Sequence, residues 1–155
     1  MVVQSPNTIT LSRQPSVFLA GGISNCSNWQ NDVIKELIKY DDLIIFNPRR
    51  DNFNVNDPSQ SQKQIEWEYN YLLNSTMISM WFSYETIQPI CLYELGMWIN
   101  SRKKPAVIGI HPEYSRKDDI IIQTNLSRPN DNMIKIAIGW ESFIEELHSM
   151  INIII

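Results

Sequence analysis

The stretch SVFLAGG, Ser16 to Gly22, decides the fold. Ser16 to Ala20 is a short apolar run of strand length, and Gly21 and Gly22 punctuate its end. After a polar loop, Trp29 to Tyr40 carries apolar residues at helical spacing through Trp29, Val33, Leu37 and Ile38. Strand, glycine turn and helix form the first unit of an α/β alternation, and the same alternation continues down the chain. Leu43 to Phe46 reads as a second strand, stopped before Pro48, because proline restrains the residue before it and lacks an amide donor. Gln64 to Leu73 reads as a helix with Ile65, Tyr69, Leu72 and Leu73 on its packing side, and Met77 to Phe82 as an apolar strand. A helix from about Gln88 to Ser101 follows, then a basic turn Arg102 to Lys104 and a strand Ala106 to Ile110. Lys117 to Leu126 fits either a strand or a short helix, and its length and acidic start favour helix. Met133 to Ile138 is the last strand, and Trp140 to Met150 has helix spacing through Phe143, Ile144 and Leu147. The terminal INIII is expected to pack on the body or against another subunit.

Five strands alternating with helices predict a three-layer α/β/α domain on an open, mostly parallel five-stranded sheet, flavodoxin-like or Rossmann-like. A length of 155 residues, 43% hydrophobic and 19% charged, suits one domain over residues 1–155, with residues 1–15 as a peripheral N-terminal segment. A net charge of −4 disfavours a surface that tracks a nucleic-acid polymer, although single nucleotides remain open. Two cysteines, Cys26 and Cys91, form no CxxC pair, which fits a reducing cytoplasm. The N-terminal residues lack the apolar run of a signal peptide, and no stretch reaches the roughly 18 apolar residues of a membrane span.

Candidate chemistry gathers where strands end. Gly21 and Gly22 can expose backbone amides to a ligand or make only a tight turn; the GxGxxG spacing of a dinucleotide site is absent. The polar loop Asn47 to Gln60 is long for an α/β connection and begins with Pro48, Arg49 and Arg50. Two arginines at a strand end can select a phosphate, or they can be solvated or pair with Asp51. Gln64 and Glu68 stand four residues apart on one side of their helix. In QPICLYELGMW, Gln88 to Trp98, Glu94 lies one or two turns into a helix that follows an apolar strand, a location that borders the cleft of an open α/β sheet. Gly96 beside it leaves room for close packing or ligand approach. Glu94 and Glu68 are alternatively ordinary exposed carboxylates. Trp67, Trp81, Trp98 and Trp140 serve as core or as stacking surfaces, and Trp81 is the candidate to stack on a ring. His111 and His148 have no partners at metal-ligand spacing, so no metal and no cofactor are expected.

Taken together, VFLAGGIS (Val17 to Ser24), IIFNPRRDNF (Ile44 to Phe53), QIEWE (Gln64 to Glu68), SMWF (Ser79 to Phe82) and LYELG (Leu92 to Gly96) resemble the nucleoside 2-deoxyribosyltransferase-like family, which includes nucleotide N-glycosidases. The pieces keep the family order over roughly Val17 to Met150. The resemblance implies that Glu94 attacks the anomeric carbon and that Gly21 and Gly22 border sugar and base. It implies a nucleoside or nucleoside monophosphate as substrate, transfer of the sugar to a base or to water, and a homo-oligomer in which a neighbouring subunit can complete the pocket. Glu68 is the candidate acid/base or base-orienting group, and Gln64, Arg49 and Arg50 are candidate substrate contacts. The chain also departs from the pattern. Phe18 stands where the transferases carry a strand tyrosine, and Glu68, Tyr69 and Thr76 stand near positions where they carry aspartates. A non-catalytic nucleotide-binding module is the alternative of a different class.

Overall fold

The structure, a computed structural model, describes residues 1–10, 13–51, 56–101 and 103–155. Asn52 to Val55 of the long loop and Arg102 of the basic turn lie outside the described residues. Strands β1 (Val2–Gln4), β2 (Ser16–Gly21), β3 (Ile44–Asn47), β4 (Met77–Phe82), β5 (Ala106–Ile110) and β6 (Ile134–Ile138) form one parallel sheet in the order β1-β3-β2-β4-β5-β6. Helices α1 (Trp29–Leu37), α2 (Pro58–Asn74), α3 (Pro89–Glu94), α4 (Lys117–Ser127) and α5 (Trp140–Ile154) connect them, and α3 runs on as a π-helical segment over Leu95–Ser101.

The predicted open parallel α/β/α architecture is present, but with six strands rather than five. Val2–Gln4 pairs in parallel with Ile45–Asn47 at the sheet edge. Three residues carry too little periodicity to announce a strand, and the pairing depends on an edge that only the folded sheet offers. The rest of the N-terminal segment is fastened to α2. Trp67 Nε1 donates to the Asn7 carbonyl at 2.7 Å, and the Ile9 amide donates to the Tyr71 hydroxyl at 3.0 Å.

Side-chain alternation divides the core between the two sheet faces. Phe18, Phe46, Met80 and Phe82 meet Trp67 and Tyr71 of α2, Leu95 and Trp98 of the π segment, and Ile120 of α4. On the other face Val17, Leu19, Ile45 and Trp81 meet Trp29, Val33 and Leu37 of α1 and Phe143 and Leu147 of α5. The middle strands β2, β4 and β5 are covered on both sides, which is why they read as continuous apolar runs.

Several helices differ from their sequence reading. α2 begins six residues earlier than Gln64, at Pro58, where Asp57 caps it by accepting from the Ser59 amide at 3.0 Å. Its buried residues are Trp67, Tyr71 and Leu72, whereas Ile65, Tyr69 and Leu73, expected to pack, are 64%, 48% and 40% exposed. Aromatic Tyr71, stacked on Phe46, and Trp67, tilted against Tyr71 and Phe18, carry the packing that the spacing assigned to the aliphatic stripe. Lys117–Ser127 is a helix, in line with the favoured reading. α5 runs through most of INIII, burying Ile151 and leaving Ile153 exposed.

Without β1 the strand order is that of a flavodoxin-like sheet, in which the chain reverses direction across the sheet between β2 and β4. The carboxyl ends of β2 and β4 lie side by side, with Gly21 in register with Trp81. Loops leaving these two ends part to opposite sides and open a crevice there.

Candidate active site

The crevice is a cleft of about 400 Å³, walled by the glycine turn after β2, Pro48 after β3, Glu68 of α2 and the segment from Thr86 into α3, including Glu94. Phe18 and Ala20 form its floor from β2. Sequence reasoning placed Gly21, Gly22, Glu68 and Glu94 in different segments, and the fold brings all four to this one cleft.

Glu94 is held by a short helix that Pro89 starts in its first turn and Gln88 enters from a left-handed backbone conformation, φ 54° and ψ 60°. Glu94 is half-buried, lines the cleft together with Phe18 and Cys91 and, among the described residues, takes no hydrogen bond. Burial, and then the neighbouring Glu68 charge, push its pKa up to about 8. Burial also raises Glu68, partly offset by a 2.9 Å hydrogen bond from Gln64 Nε2. Both carboxyls of this desolvated cleft are therefore easier to protonate than free carboxylates. Cys91, at the cleft wall, is pushed well above the ordinary thiol range by burial and by the same carboxylates, which makes it a neutral wall rather than a nucleophile.

Gln64 stands behind Glu68. Its amide nitrogen also donates to the Pro48 carbonyl at 2.8 Å, and its oxygen accepts from the Ser5 hydroxyl at 2.7 Å. It orients Glu68 and ties β3's loop to α2; it is not among the cleft-lining residues.

The glycine turn is rigidly held. A Cβ at Gly21, φ 150°, would sit 2.6 Å from the Trp81 carbonyl oxygen, so that position requires glycine, and one at Gly22 would sit 2.4 Å from Cys26 Sγ and 2.8 Å from Gln88 Cδ, so a side chain there would have to displace both. The Gly22 amide donates to Gln88 Oε1 at 2.9 Å, and Gln88 Nε2 donates to the Ser83 carbonyl and hydroxyl, each at 2.9 Å. The Gly22 carbonyl accepts from Trp29 Nε1 at 3.2 Å, Gln30 Nε2 at 3.4 Å and Arg49 Nη2 at 3.4 Å. Gln88 and Gln30 are the residues sequence reasoning passed over. Gln30 had a visible signal, a glutamine on the apolar face of α1 in line with Val33 and Leu37, where it is fully buried.

The remaining candidates are placed elsewhere. Arg49 lies beneath the glycine loop with its guanidinium on backbone carbonyls and Gln30. Arg50 is half-buried beside it, outside the cleft lining. Trp81 points to the opposite sheet face, packed on Trp140 and Phe143 at ring separations of 5.1 and 5.2 Å, and borders a separate cleft of about 300 Å³ with Glu85, His111 and Trp140. Strand alternation decides this: Met80 and Phe82 face the Glu94 side, so Trp81 cannot. Gly96 has open space around it rather than a close neighbour, since it lies on the outer side of the π segment. Among the described residues no group of three His, Cys, Asp or Glu side chains is arranged to hold a metal, and no helix is long and apolar enough to cross a membrane.

A family model described as nucleoside 2-deoxyribosyltransferase like matches residues 14–114, about two thirds of the chain, from β2 through β5. The chain belongs to the nucleoside 2-deoxyribosyltransferase-like family. That match contains every element walling the Glu94 cleft, so the family's defining region and the geometric site coincide. Residues of β6 and α5 fall outside the match and close the sheet on its far side. No curated protein matches the chain.

Proposed function

We propose that this protein cleaves the N-glycosidic bond of a nucleoside or nucleoside monophosphate, with Glu94 as nucleophile, and transfers the sugar to a second base. The observation that carries this reading is the meeting of Glu94 and Glu68 in the switch-point cleft, with no other ionisable pair facing it among the described residues. Cleavage builds positive charge on the sugar, and an anion on its opposite face stabilises that charge or bonds to it.

The raised pKa of both carboxyls supports a division of roles in which one proton passes between them. Burial favours that proton on Glu94 in the empty cleft; once it has passed to Glu68, the Glu94 carboxylate attacks the anomeric carbon as the carbon–nitrogen bond breaks. The bond's electron pair passes to the departing base, which takes the proton from Glu68. In the return step a nitrogen of the acceptor base attacks the same carbon, Glu94 leaves, and Glu68 recovers a proton from the acceptor. Water in place of the acceptor makes the outcome hydrolysis, the alternative within the same mechanism.

Homo-oligomerisation is part of this reading. Ile65, Tyr69 and Leu73 on α2 and Ile90 and Tyr93 on α3 are exposed on the helices that wall the cleft, and a second copy is the occupant proposed for that face.

The test is mass-resolved analysis of a panel of ribo- and deoxyribonucleosides and their 5′-monophosphates, each with and without an isotopically labelled second base. Label incorporated into nucleoside supports transfer; free base and sugar without incorporation establish hydrolysis. Glu94→Gln is expected to lose at least about 10³-fold in rate while remaining folded; full activity in that variant would overturn the nucleophile assignment.

A further inference from the structure

We infer that Arg49 is a positioning residue that clamps the glycine loop, and that the cleft takes an uncharged nucleoside in preference to its 5′-monophosphate. The inference rests on the proposed glycosidic function of the Glu94 cleft and narrows its substrate class.

An arginine at a strand end beside a glycine turn invites a phosphate, but the guanidinium is already occupied. Nε donates to Gln30 Oε1 at 2.9 Å, and Nη2 donates to the carbonyls of Ser27 at 2.9 Å, Cys26 at 3.3 Å and Gly22 at 3.4 Å. Arg49's own amide donates to Asn47 Oδ1 at 3.0 Å, fixing the turn that carries it. The three carbonyls belong to the loop that forms one wall of the cleft, and Gln30, the fourth acceptor, is fully buried. Turning this side chain towards a phosphate would leave Gln30 Oε1 without its donor and take from the Ser27 and Cys26 carbonyls the donor that Arg49 gives them.

The charge of the cleft points the same way. Its lining holds the two carboxyls Glu68 and Glu94 and, among the described residues, no lysine, arginine or histidine. A 5′-phosphate entering there would bring negative charge into a partly desolvated site already holding carboxylate charge, with no lining cation to offset it. An uncharged nucleoside meets no such penalty. Its base has apolar walls in Ile23, Ile87 and Ile90, and its sugar has the glycine turn of Gly21 and Gly22.

The experiment compares the wild-type protein with Arg49→Met and Arg49→Lys. Hydrogen–deuterium exchange is read on peptides spanning Gly22 to Ser27. Calorimetric affinity and, where turnover occurs, kcat and KM are read for common nucleosides and their 5′-monophosphates. The wild type is expected to bind a nucleoside at least about tenfold more tightly than its monophosphate, equivalent to about 1.4 kcal/mol. Arg49→Met is expected to speed exchange in the loop and to raise KM for both ligand forms by the same factor. Arg49→Lys is expected not to rescue, because one ammonium cannot span the same fan of acceptors. Unchanged exchange overturns the clamp. A monophosphate bound as tightly as the nucleoside, with a loss in Arg49→Met confined to the monophosphate, overturns both halves while leaving the glycosidic reading intact. No binding of any nucleoside or monophosphate overturns the substrate assignment together with the proposed function, and the exchange data then decide the clamp alone.

Discussion

Glu94 and Glu68 answer to pH as a pair. Between the first and second ionisations the pair holds one proton, the state in which one carboxyl attacks and the other donates. Activity is expected to fall above about pH 8, where the pair loses its last proton. A pH profile of kcat/KM checks this. In Glu68→Gln the alkaline limb should vanish and the rate drop by roughly 10²- to 10⁴-fold. An unchanged limb in that variant would assign it to another group. Glu94 also links pH to stability. Its folded pKa lies above the ordinary 4.5, so the folded state keeps a proton that the unfolded chain releases first. Glu94 therefore leaves stability intact below about pH 4.5 and erodes it as pH rises towards 8. Glu94→Gln, permanently neutral, should melt higher than the wild type, with a gap that opens between pH 5 and 8 at up to about 1 kcal/mol per pH unit. Thermal melts at three pH values decide this, and a constant gap would contradict it.

At the scale of elements, the junction between β4 and α3 does most to shape the cleft. Pro89 starts the helix, and Gln88 supplies a left-handed residue whose side chain reaches both Gly22 and Ser83. Gln88→Ala would leave the Gly22 amide buried without its acceptor, a loss of about 1–3 kcal/mol, and would loosen the turn facing the substrate. Chemical denaturation should register the stability loss and a raised KM should accompany it; a variant of wild-type stability would show that water replaces the glutamine. The segment Gln88 to Trp98 was readable as helix, yet nothing in its spacing signals the π register from Leu95 onward. That register depends on tertiary anchors, among them Arg128, whose guanidinium is buried and donates to the Ile99 carbonyl at 3.1 Å. α2 shows the converse case. Its aliphatic stripe was readable, but which stripe turns inward was decided by aromatic packing of Trp67 and Tyr71 against Phe18 and Phe46.

For the whole molecule, the exposed stripe becomes the question of assembly. Sedimentation of the wild type should show a dimer or larger species, and Tyr93→Lys should shift it towards monomer by placing a charge at a face covered by a second copy. A monomeric wild type would remove that part of the proposal. By itself the sequence determined the alternation of strands and helices, the parallel sheet and the family, because apolar runs, glycine turns and a handful of ordered motifs are local and survive without coordinates. It also singled out two carboxylates, Glu68 and Glu94, that the fold brings to one cleft. It could not say that Val2–Gln4 would find the open edge of β3, that Arg49 would turn under the glycine loop, or that Trp81 would face away from Glu94. Each of those depends on which surfaces meet across a sheet: pairing needs an edge, a guanidinium takes whatever acceptors surround it, and a one-residue step along a strand moves a side chain to the opposite face. Such facts are relations between distant segments, and only the tertiary structure decided them.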